Sequence, residues 1–321
     1  MIRPIIVLGA ALIAAVSQGQ GTRPDKPLAR VNAFVDALVK GNLDEVRVAY
    51  DDKALLVGPA TLTPLDSKDA LVKHYQARAQ TEKLLYFHLR QPHSATFDRQ
   101  TAVVVANYEE GVKQGEAIIE TNGKILFVLS GGPNAYKIGA EVIVPNVNSG
   151  TYGPMGTAMN AKPWGRFPAA EVPSPDAKEE QIFEYPWGKQ LFETTKAVNA
   201  TFPKGSIDAM LEFADKEVSI WAGDYGPVYI LGVDSARHHF ADFFRSGKMR
   251  GIRAFRPVMR EIGGTRLVYF QFEESLDVER QLRRNNGQAT YLFRSGRLSK
   301  LVACTETSVV VSNIGDPYPV N

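Results

Sequence analysis

The chain has 321 residues, of which 44% are hydrophobic and 22% charged, so it has apolar side chains for two ordinary cores and too many for a disordered protein. Its formal net charge of +2 gives no reason to expect a nucleic-acid partner. The single cysteine, Cys304, excludes an internal disulfide bond.

The N-terminus carries a targeting pattern. Arg3 precedes an apolar run over residues 5–16, and small residues follow it at positions suited to cleavage. This pattern predicts a secretory signal peptide over residues 1–17, and therefore a secreted or periplasmic protein. A membrane anchor is the alternative, but the run is shorter than the roughly 20 apolar residues that a span needs. We therefore expect no membrane association once the signal is removed.

Helices begin the next segment. Apolar residues recur at helical spacing through residues 28–40, and Gly41 with Asn42 ends this helix and starts another. A short strand follows, and Ser67 is placed to cap a third helix that contains His74.

After the third helix the apolar period changes to two, which is typical of strands. A turn is expected at Asn122-Gly123, between two of these strands. The four predicted strands span residues 83–97, 100–112, 115–121 and 124–132. Three helices followed by antiparallel strands predict an α+β domain, with the helices on one face of the sheet.

The same pattern occurs twice. Residues 41–57 and 101–112 align with residues 205–221 and 265–276 at an offset of 164, and residues 69–77 align with 234–242 at an offset of 165. Residues 89–97 also align with 254–262 at an offset of 165. Four such matches in one order indicate an internal duplication. The predicted organisation has two similar domains, residues 26–145 and 187–310. A linker rich in Pro and Gly, residues 146–186, joins them, and a tail, residues 311–321, follows the second.

A motif in this pattern points to a family. The sequence G-x-L-D-x-V followed by Y-x-D (Gly41 to Asp52), a short strand, a helix with DALVKHY and long strands resemble the nuclear-transport-factor-2-like superfamily, which includes SnoaL-like cyclases and ketosteroid isomerases. The resemblance implies tandem cone-shaped domains, each with three helices on a strongly curved, mostly antiparallel sheet around an apolar pocket. It also implies pairing through sheet faces, as an intramolecular pseudo-dimer or a homodimer.

The isomerase branch of this family implies a carboxylate base and a tyrosine on the first helix. Those roles fall on Gly58 and Phe34 in the first domain, and on Trp221 in the second domain, where the preceding helix has no tyrosine. None of these side chains can supply the chemistry. The resemblance therefore implies a pocket without the family's isomerase base.

Candidate site residues come from the duplicated strand. One face carries Val104, Ala106, Tyr108 and Glu110, and its copy carries Val268, Phe270, Phe272 and Glu274. We assign this face to the interior because it is the more consistently apolar. Glu110 and Glu274 are candidate acids or bases, each with a histidine, His74 or His239. Solvated glutamates and hydrogen-bonded structural histidines are the alternative.

The expected ligand contacts are mainly aromatic. Arg256 lies in a basic segment, residues 245–260, and suits a carboxylate or phosphate on a ligand. The candidate ligand-binding residues are Phe34, Tyr108, Trp221, Phe270, Phe272 and Arg256.

Three functions remain open, and the first is favoured because the family's catalytic positions hold residues that cannot catalyse. The first is a binding protein that holds an apolar small molecule in its pockets. The second is a lyase, isomerase or cyclase that uses a pocket glutamate with a histidine or tyrosine in proton transfer. The third is a structural module for assembly. The sequence shows no metal-binding or phosphate-binding motif, so we expect no metal, no cofactor and no nucleic acid.

Overall fold

The computed structural model describes most of the chain from residue 25 onward. The expected signal peptide and most of the expected linker lie outside the described residues. No helix within the described part is long and apolar enough to cross a membrane. The described residues are 25–58, 64–145, 151–152, 158–159, 183–221, 229–245, 249–278, 281–294 and 300–317.

Three helices form as expected in the first unit, as we call residues 25–145. They are α1 (Lys26–Lys40), α2 (Leu43–Ala49) and α3 (Lys68–Thr81). Gly41 ends α1 in the left-handed conformation with φ 69°, and the Asn42 side chain accepts from the N–H of Glu45 to start α2. Ser67 accepts from Ala70 N–H and begins α3. These caps confirm the predicted helix boundaries.

A mixed sheet packs against these helices. Its main strands are β1 (Tyr50–Val57), β2 (Lys83–Thr96), β3 (Ala102–Gln114), β4 (Ala117–Ser130) and β5 (Lys137–Pro145), with the short β6 (Thr151–Tyr152) and β7 (Ala158–Met159) at the side. The strand order is β1-β5-β4-β3-β2, and only the β1–β5 pair is parallel.

The predicted turn at Asn122-Gly123 is wrong. Strand β4 continues through it, with Asn122 opposite Glu109 and Gly123 opposite Tyr108. Because β3 extends to Gln114, its partner must be equally long, and the chain reverses instead at Gly115, where φ is 61°. The two expected strands on either side are therefore one strand, and the sequence prediction missed β5.

The second unit, as we call residues 183–317, has a similar element order. Its helices are α4 (Gly188–Asn199), a 3₁₀ turn (Phe202–Lys204), α5 (Ile207–Leu211) and α6 (Gly232–Arg245). Its strands are β8 (Ala214–Trp221), β9 (Tyr229–Leu231), β10 (Met249–Ile262), β11 (Thr265–Val278), β12 (Gln281–Arg294) and β13 (Lys300–Pro317). The strand order of this sheet, β8-β13-β12-β11-β10, corresponds to the order β1-β5-β4-β3-β2 of the first sheet. Strand β8 is parallel to β13, as β1 is to β5. Strand β13 extends past the expected domain end at residue 310.

Both sheets bend at matching places. The pairing of β2 with β3 shifts between Arg90 and His93, and that of β10 with β11 shifts between Phe255 and Val258. Gln91 and Arg256, each just before a proline, have positive φ values of 49° and 50°. Such bulges bend a strand, and the result is an α+β structure with curved sheets.

The core has three apolar clusters. One lies between the helices and sheet of the first unit around Phe34 and Phe127, and another lies between those of the second unit around Phe192 and Phe270. The third cluster, which we call the inter-sheet cluster, contains residues of both sheets: Leu55, Val57, Val103, Val105, Leu126, Val128, Ala140, Val142, Ile262, Leu267, Tyr269 and Leu292. Each sheet thus packs on helices with one face and on the other sheet with its opposite face.

Candidate functional site

A cavity of about 310 Å³ lies in the interior of the first unit. Its apolar wall includes Leu38, Leu43, Leu84, Phe87, Val112 and Ile143. Polar side chains also line it: Tyr75, Arg78, Tyr108, Glu110 and Glu141, with Lys40, Glu82 and Lys83. An apolar pocket with a few polar groups is the usual form of a small-molecule site.

Glu141 is the most deeply buried of these polar groups. It lies on β5 and is 1% exposed. The Tyr50 hydroxyl donates a short hydrogen bond to its Oε2, and the Tyr75 hydroxyl lies 3.1 Å from Oε1 and 3.0 Å from Oε2. We call these three residues the Glu141 centre. Of the two tyrosines, Tyr75 also lines the cavity.

Three separate elements build the Glu141 centre. Tyr50 is the first residue of β1, directly after α2, and Tyr75 lies in the middle of α3. The parallel pairing of β1 with β5 sets Leu56 opposite Glu141. Phe34 on α1 supports both tyrosines edge-on, with ring centroids 5.2 Å from Tyr50 and 6.4 Å from Tyr75. The aromatic packing therefore fixes where both hydroxyls point.

Burial dominates the electrostatics of the Glu141 centre. Loss of solvent raises the pKa of Glu141 to about 7, although the tyrosine hydrogen bonds and the Arg78 charge act in the opposite direction. Burial also raises the pKa of Tyr50 and Tyr75 well above their ordinary value, so both phenols stay protonated. At neutral pH the Glu141 carboxyl is therefore divided between its acid and base forms, beside two hydrogen-bond donors.

Glu110 has a different environment. It accepts from Arg78 Nη2 at 2.7 Å and from the Thr121 hydroxyl at 3.2 Å, while Arg78 Nε binds Glu82 at 3.0 Å. Glu110 lies in the cavity as expected, but its oxygens are engaged, whereas Glu141 combines burial with a pKa near neutrality.

Among the other candidates from the first unit, Tyr108 lines the cavity as expected. Phe34 is buried beneath the tyrosines and is absent from the cavity wall. The His74 ring packs against Tyr75 at a centroid distance of 5.5 Å, and burial lowers the pKa of His74. His74 is also absent from the residues that line the cavity.

The candidates from the second unit do not meet at this cavity. Phe270 and Phe272 are buried in the core of their own unit, and Glu274 is partly buried. Arg256 is exposed, with its Nη1 3.4 Å from Gln271 Oε1. The side chains of Trp221 and His239 lie outside the described residues.

Sequence reasoning missed the Glu141 centre. Glu141 is the lone charged residue in IGAEVIVP, residues 138–145, and an acid inside an apolar strand is a signal of burial. In the sequence, Tyr50 stands out only as part of the Y-x-D motif, and Tyr75 only as the last residue of DALVKHY. Their convergence depends on pairing between residues 91 positions apart, which local periodicity does not reveal.

No protein-family model and no curated protein match the chain. Solved structures do, at low identity. A ketosteroid isomerase-like protein from Erwinia carotovora is 16% identical with a TM-score of 0.33, and the match covers 36% of this chain and 90% of that one. A nuclear-transport-factor-2-like protein from Cytophaga hutchinsonii is 11% identical with a TM-score of 0.32, covering 38% and 97%. The beta subunit of benzoate 1,2-dioxygenase from Burkholderia mallei is 12% identical with a TM-score of 0.34, covering 39% and 93%.

Proposed function

We propose that the cavity of the first unit is an active site. It binds a small, largely apolar molecule and moves a proton on it through Glu141, in an isomerase- or lyase-type reaction. The observation that carries this proposal is a carboxyl group that lines an apolar cavity, is 1% exposed, and has its pKa raised to about 7. A general acid or base works best when its pKa lies near the operating pH.

The residues divide the chemistry between them. The Glu141 carboxylate takes a proton from a carbon next to a ligand carbonyl. The electron pair of the C–H bond forms a C=C bond, and the π pair of the carbonyl moves to its oxygen as an enolate forms. The Tyr75 hydroxyl, which lines the cavity and lies 3.0 Å from Glu141, exchanges its hydrogen bond to Glu141 for one to that carbonyl oxygen when the ligand binds. Return of the proton from Glu141 to another carbon completes an isomerisation. Tyr50 keeps its hydrogen bond to the Glu141 carboxyl group and so positions it.

A second candidate is binding without turnover. It is favoured by the apolar cavity wall and by the residues Gly58 and Phe34, which cannot act as the family's base and tyrosine. In that case Glu141 and Tyr75 serve as hydrogen-bonding groups that orient a ligand. Both candidates predict that the cavity binds an uncharged apolar molecule, and they differ in whether a proton moves.

The test uses 1-tetralone, an uncharged aromatic ketone with one enolisable CH₂ group. We expect the full mature chain to speed the exchange of these protons with D₂O, followed by ¹H NMR, and the rate to rise through about pH 7 as Glu141 ionises. Replacement Glu141→Gln should reduce the enzymatic rate roughly 10²- to 10⁴-fold. Glu274→Gln in the second unit is the matched control and should leave the rate unchanged.

Two other outcomes would contradict the proposal that Glu141 is the base of an active site. If 1-tetralone binds without accelerated exchange, the cavity acts as a carrier site. If Glu141→Gln exchanges protons as fast as the unsubstituted chain, Glu141 is not the base, and the assignment is wrong.

A further inference from the structure

One buried arginine of the second unit binds the first unit. Arg260 lies on β10 and is 8% exposed. Its Nη2 donates to the main-chain carbonyl of Asp66 at 3.3 Å and lies 3.4 Å from the Asp66 carboxylate, and its Nη1 donates to Glu184 at 3.0 Å. Asp66 belongs to the connection between β1 and α3, whereas Glu184 precedes α4. The guanidinium group thus binds both the backbone and the side chain of one residue of the first unit.

Asp66 lies between two segments that carry the Glu141 centre. Its neighbour Leu65 exchanges backbone hydrogen bonds of 2.8 and 3.0 Å with Leu56, and Leu56 is paired with Glu141 across β1 and β5. On the other side of Asp66, the helix α3, which carries Tyr75, begins just after the next residue. A displacement of Asp66 would therefore move α3 relative to β5, and with it the Tyr75 hydroxyl relative to the Glu141 carboxyl group.

The contact runs in one direction, from the second unit to the first. Arg260 is paired with Leu267 on β11, and Ala95 is paired with Val103 on β3. Because Leu267 aligns with Val103 at the offset of 164, Ala95 is the counterpart of Arg260 in the first unit. An alanine side chain has no group that could bind a carboxylate. This position therefore serves the first unit and not the second.

The energetics of the contact favour a role in geometry. The side chain of Arg260 is 10% exposed, whereas those of Asp66 and Glu184 are 66% and 65% exposed. Ion pairs with exposed partners add little stability, and burial of a charge is costly. Arg260 Nε is also buried without a hydrogen-bond partner in the part of the chain that the structure describes. The arrangement is therefore better explained by the position that it fixes than by stabilisation of the chain.

We propose that Arg260 is a positioning residue for the site of the first unit, by which the second unit holds the Tyr75 donor against Glu141. This inference rests on the proposed function and adds to it a role for the second unit. Arg260 acts through residues 65–67 and touches neither the ligand nor the reacting atoms. The second unit thus supports the reaction although it carries no residue of the Glu141 centre.

The pKa of Glu141 reports this positioning without any ligand. The groups that act on it are Tyr50, Tyr75, Arg78 and Glu110. The hydrogen bond from Tyr75 lowers the Glu141 pKa, so a displaced Tyr75 raises it. We therefore expect a higher Glu141 pKa in Arg260→Gln than in the unsubstituted chain. The measurement is a pH titration of ¹³C-labelled glutamate carboxyl signals in the full chain, with Glu141 assigned by its absence in Glu141→Gln.

Two further variants separate positioning from charge. Asp66→Asn removes a negative charge, so a direct Coulomb effect would lower the Glu141 pKa, whereas a loss of positioning raises it. Because Asp66 is largely exposed, this variant should fold even if Arg260→Gln does not. Glu184→Gln is the matched control. It removes the other carboxylate from the same guanidinium group, leaves the contact with Asp66, and should not change the Glu141 pKa.

The 1-tetralone assay gives the effect on the reaction. Arg260→Gln should lower kcat about tenfold with KM unchanged, since a misplaced donor weakens binding of the transition state more than binding of the substrate. The proposal fails if Arg260→Gln and Asp66→Asn leave the Glu141 pKa unchanged, or if Glu184→Gln raises it equally. If the unsubstituted chain does not accelerate exchange, the proposed reaction is wrong, and the titration still decides whether Arg260 positions Tyr75.

Discussion

The two units share a sheet plan and differ at the Glu141 centre. Tyr50 begins β1 opposite Ile138, and Ala214 begins β8 opposite Leu301. Glu141 is paired with Leu56, and at the matching rung Cys304 is paired with Ile220. The sequence alignment sets Phe240 opposite Tyr75. All three polar residues of the centre thus have apolar or weakly polar counterparts, although the strand order is the same in both units.

The glutamates that recur in both units, Glu110 and Glu274, need a different explanation from the Glu141 centre. Glu110 is paired across strands with Thr121, and Glu274 with Asn285 at the corresponding rung. Sequence reasoning favoured these two glutamates because they recur. In the first unit, however, Glu110 anchors Arg78 to the cavity wall. The recurring glutamate is therefore better explained by architecture than by catalysis.

The largest expected effect is on how the free energy of unfolding depends on pH. The pKa of Glu141 is about 7 in the folded chain against an ordinary 4.5, so between these values the folded state binds more protons than the unfolded state. The free energy of unfolding should therefore fall as pH rises from about 4.5 to 7, by roughly 3 kcal/mol in total. Urea denaturation at pH 5 and pH 7.5 should show this loss in the unsubstituted chain and not in Glu141→Gln. Parallel behaviour of the two chains would contradict the burial argument.

The second prediction tests the Glu141 centre by replacing Tyr75 with the residue type at the aligned position of the second unit. Tyr75→Phe installs the residue type of Phe240 and keeps the ring but removes the donor. We expect the 1-tetralone exchange rate to fall about tenfold to a hundredfold, near the lower range for loss of one oxyanion donor. Tyr108→Phe is the control, since Tyr108 also lines the cavity but makes no hydrogen bond to Glu141. Equal losses in both variants would argue against a specific role for Tyr75.

The contact between the sheets gives the third prediction. A methyl group added at Gly139 would collide with the Ile262 side chain, whereas one at Gly251 would meet nothing within 4 Å. We expect Gly139→Ala to lower the free energy of unfolding by about 1–3 kcal/mol, as overpacking does. Gly251→Ala should change it much less. Thermal or urea unfolding of the two variants would show whether the inter-sheet cluster stabilises the chain.

The smallest expected effect separates the two recurring glutamates. The charge of Glu110 contributes to raising the pKa of Glu141. Glu110→Gln should therefore shift the midpoint of the rate–pH profile to lower pH, and Glu274→Gln should leave it in place. An upward shift in Glu110→Gln, or the same shift in both variants, would show that the assumed electrostatic coupling is wrong.

Much of the fold was accessible from local sequence signals. The caps at Gly41, Asn42 and Ser67 are short-range features, and alternation in β3 separated the face with Val104 and Tyr108 from the face with Val103, because neighbouring strand residues point to opposite sides. The site was not accessible in this way. The Asn-Gly pair suggested a turn that the long β3–β4 pairing overrides, and β5, which carries Glu141, was left out of the predicted sheet. Without β5 no pattern could bring its carboxyl to Tyr50 and Tyr75.

The inter-sheet cluster has a consequence for how the units can change. When two sheets belong to one chain, each meets its partner at an effective concentration that the linker sets, whatever the dilution of the protein. In a two-fold symmetric pair of separate chains, by contrast, every substitution occurs on both sides of the contact at once. A covalent pair is free of this constraint. The second unit can therefore carry Cys304 at the position that corresponds to Glu141, while the first unit keeps its carboxyl group. Covalent linkage thus allows the two units to carry different residues at corresponding positions while their sheets stay packed together.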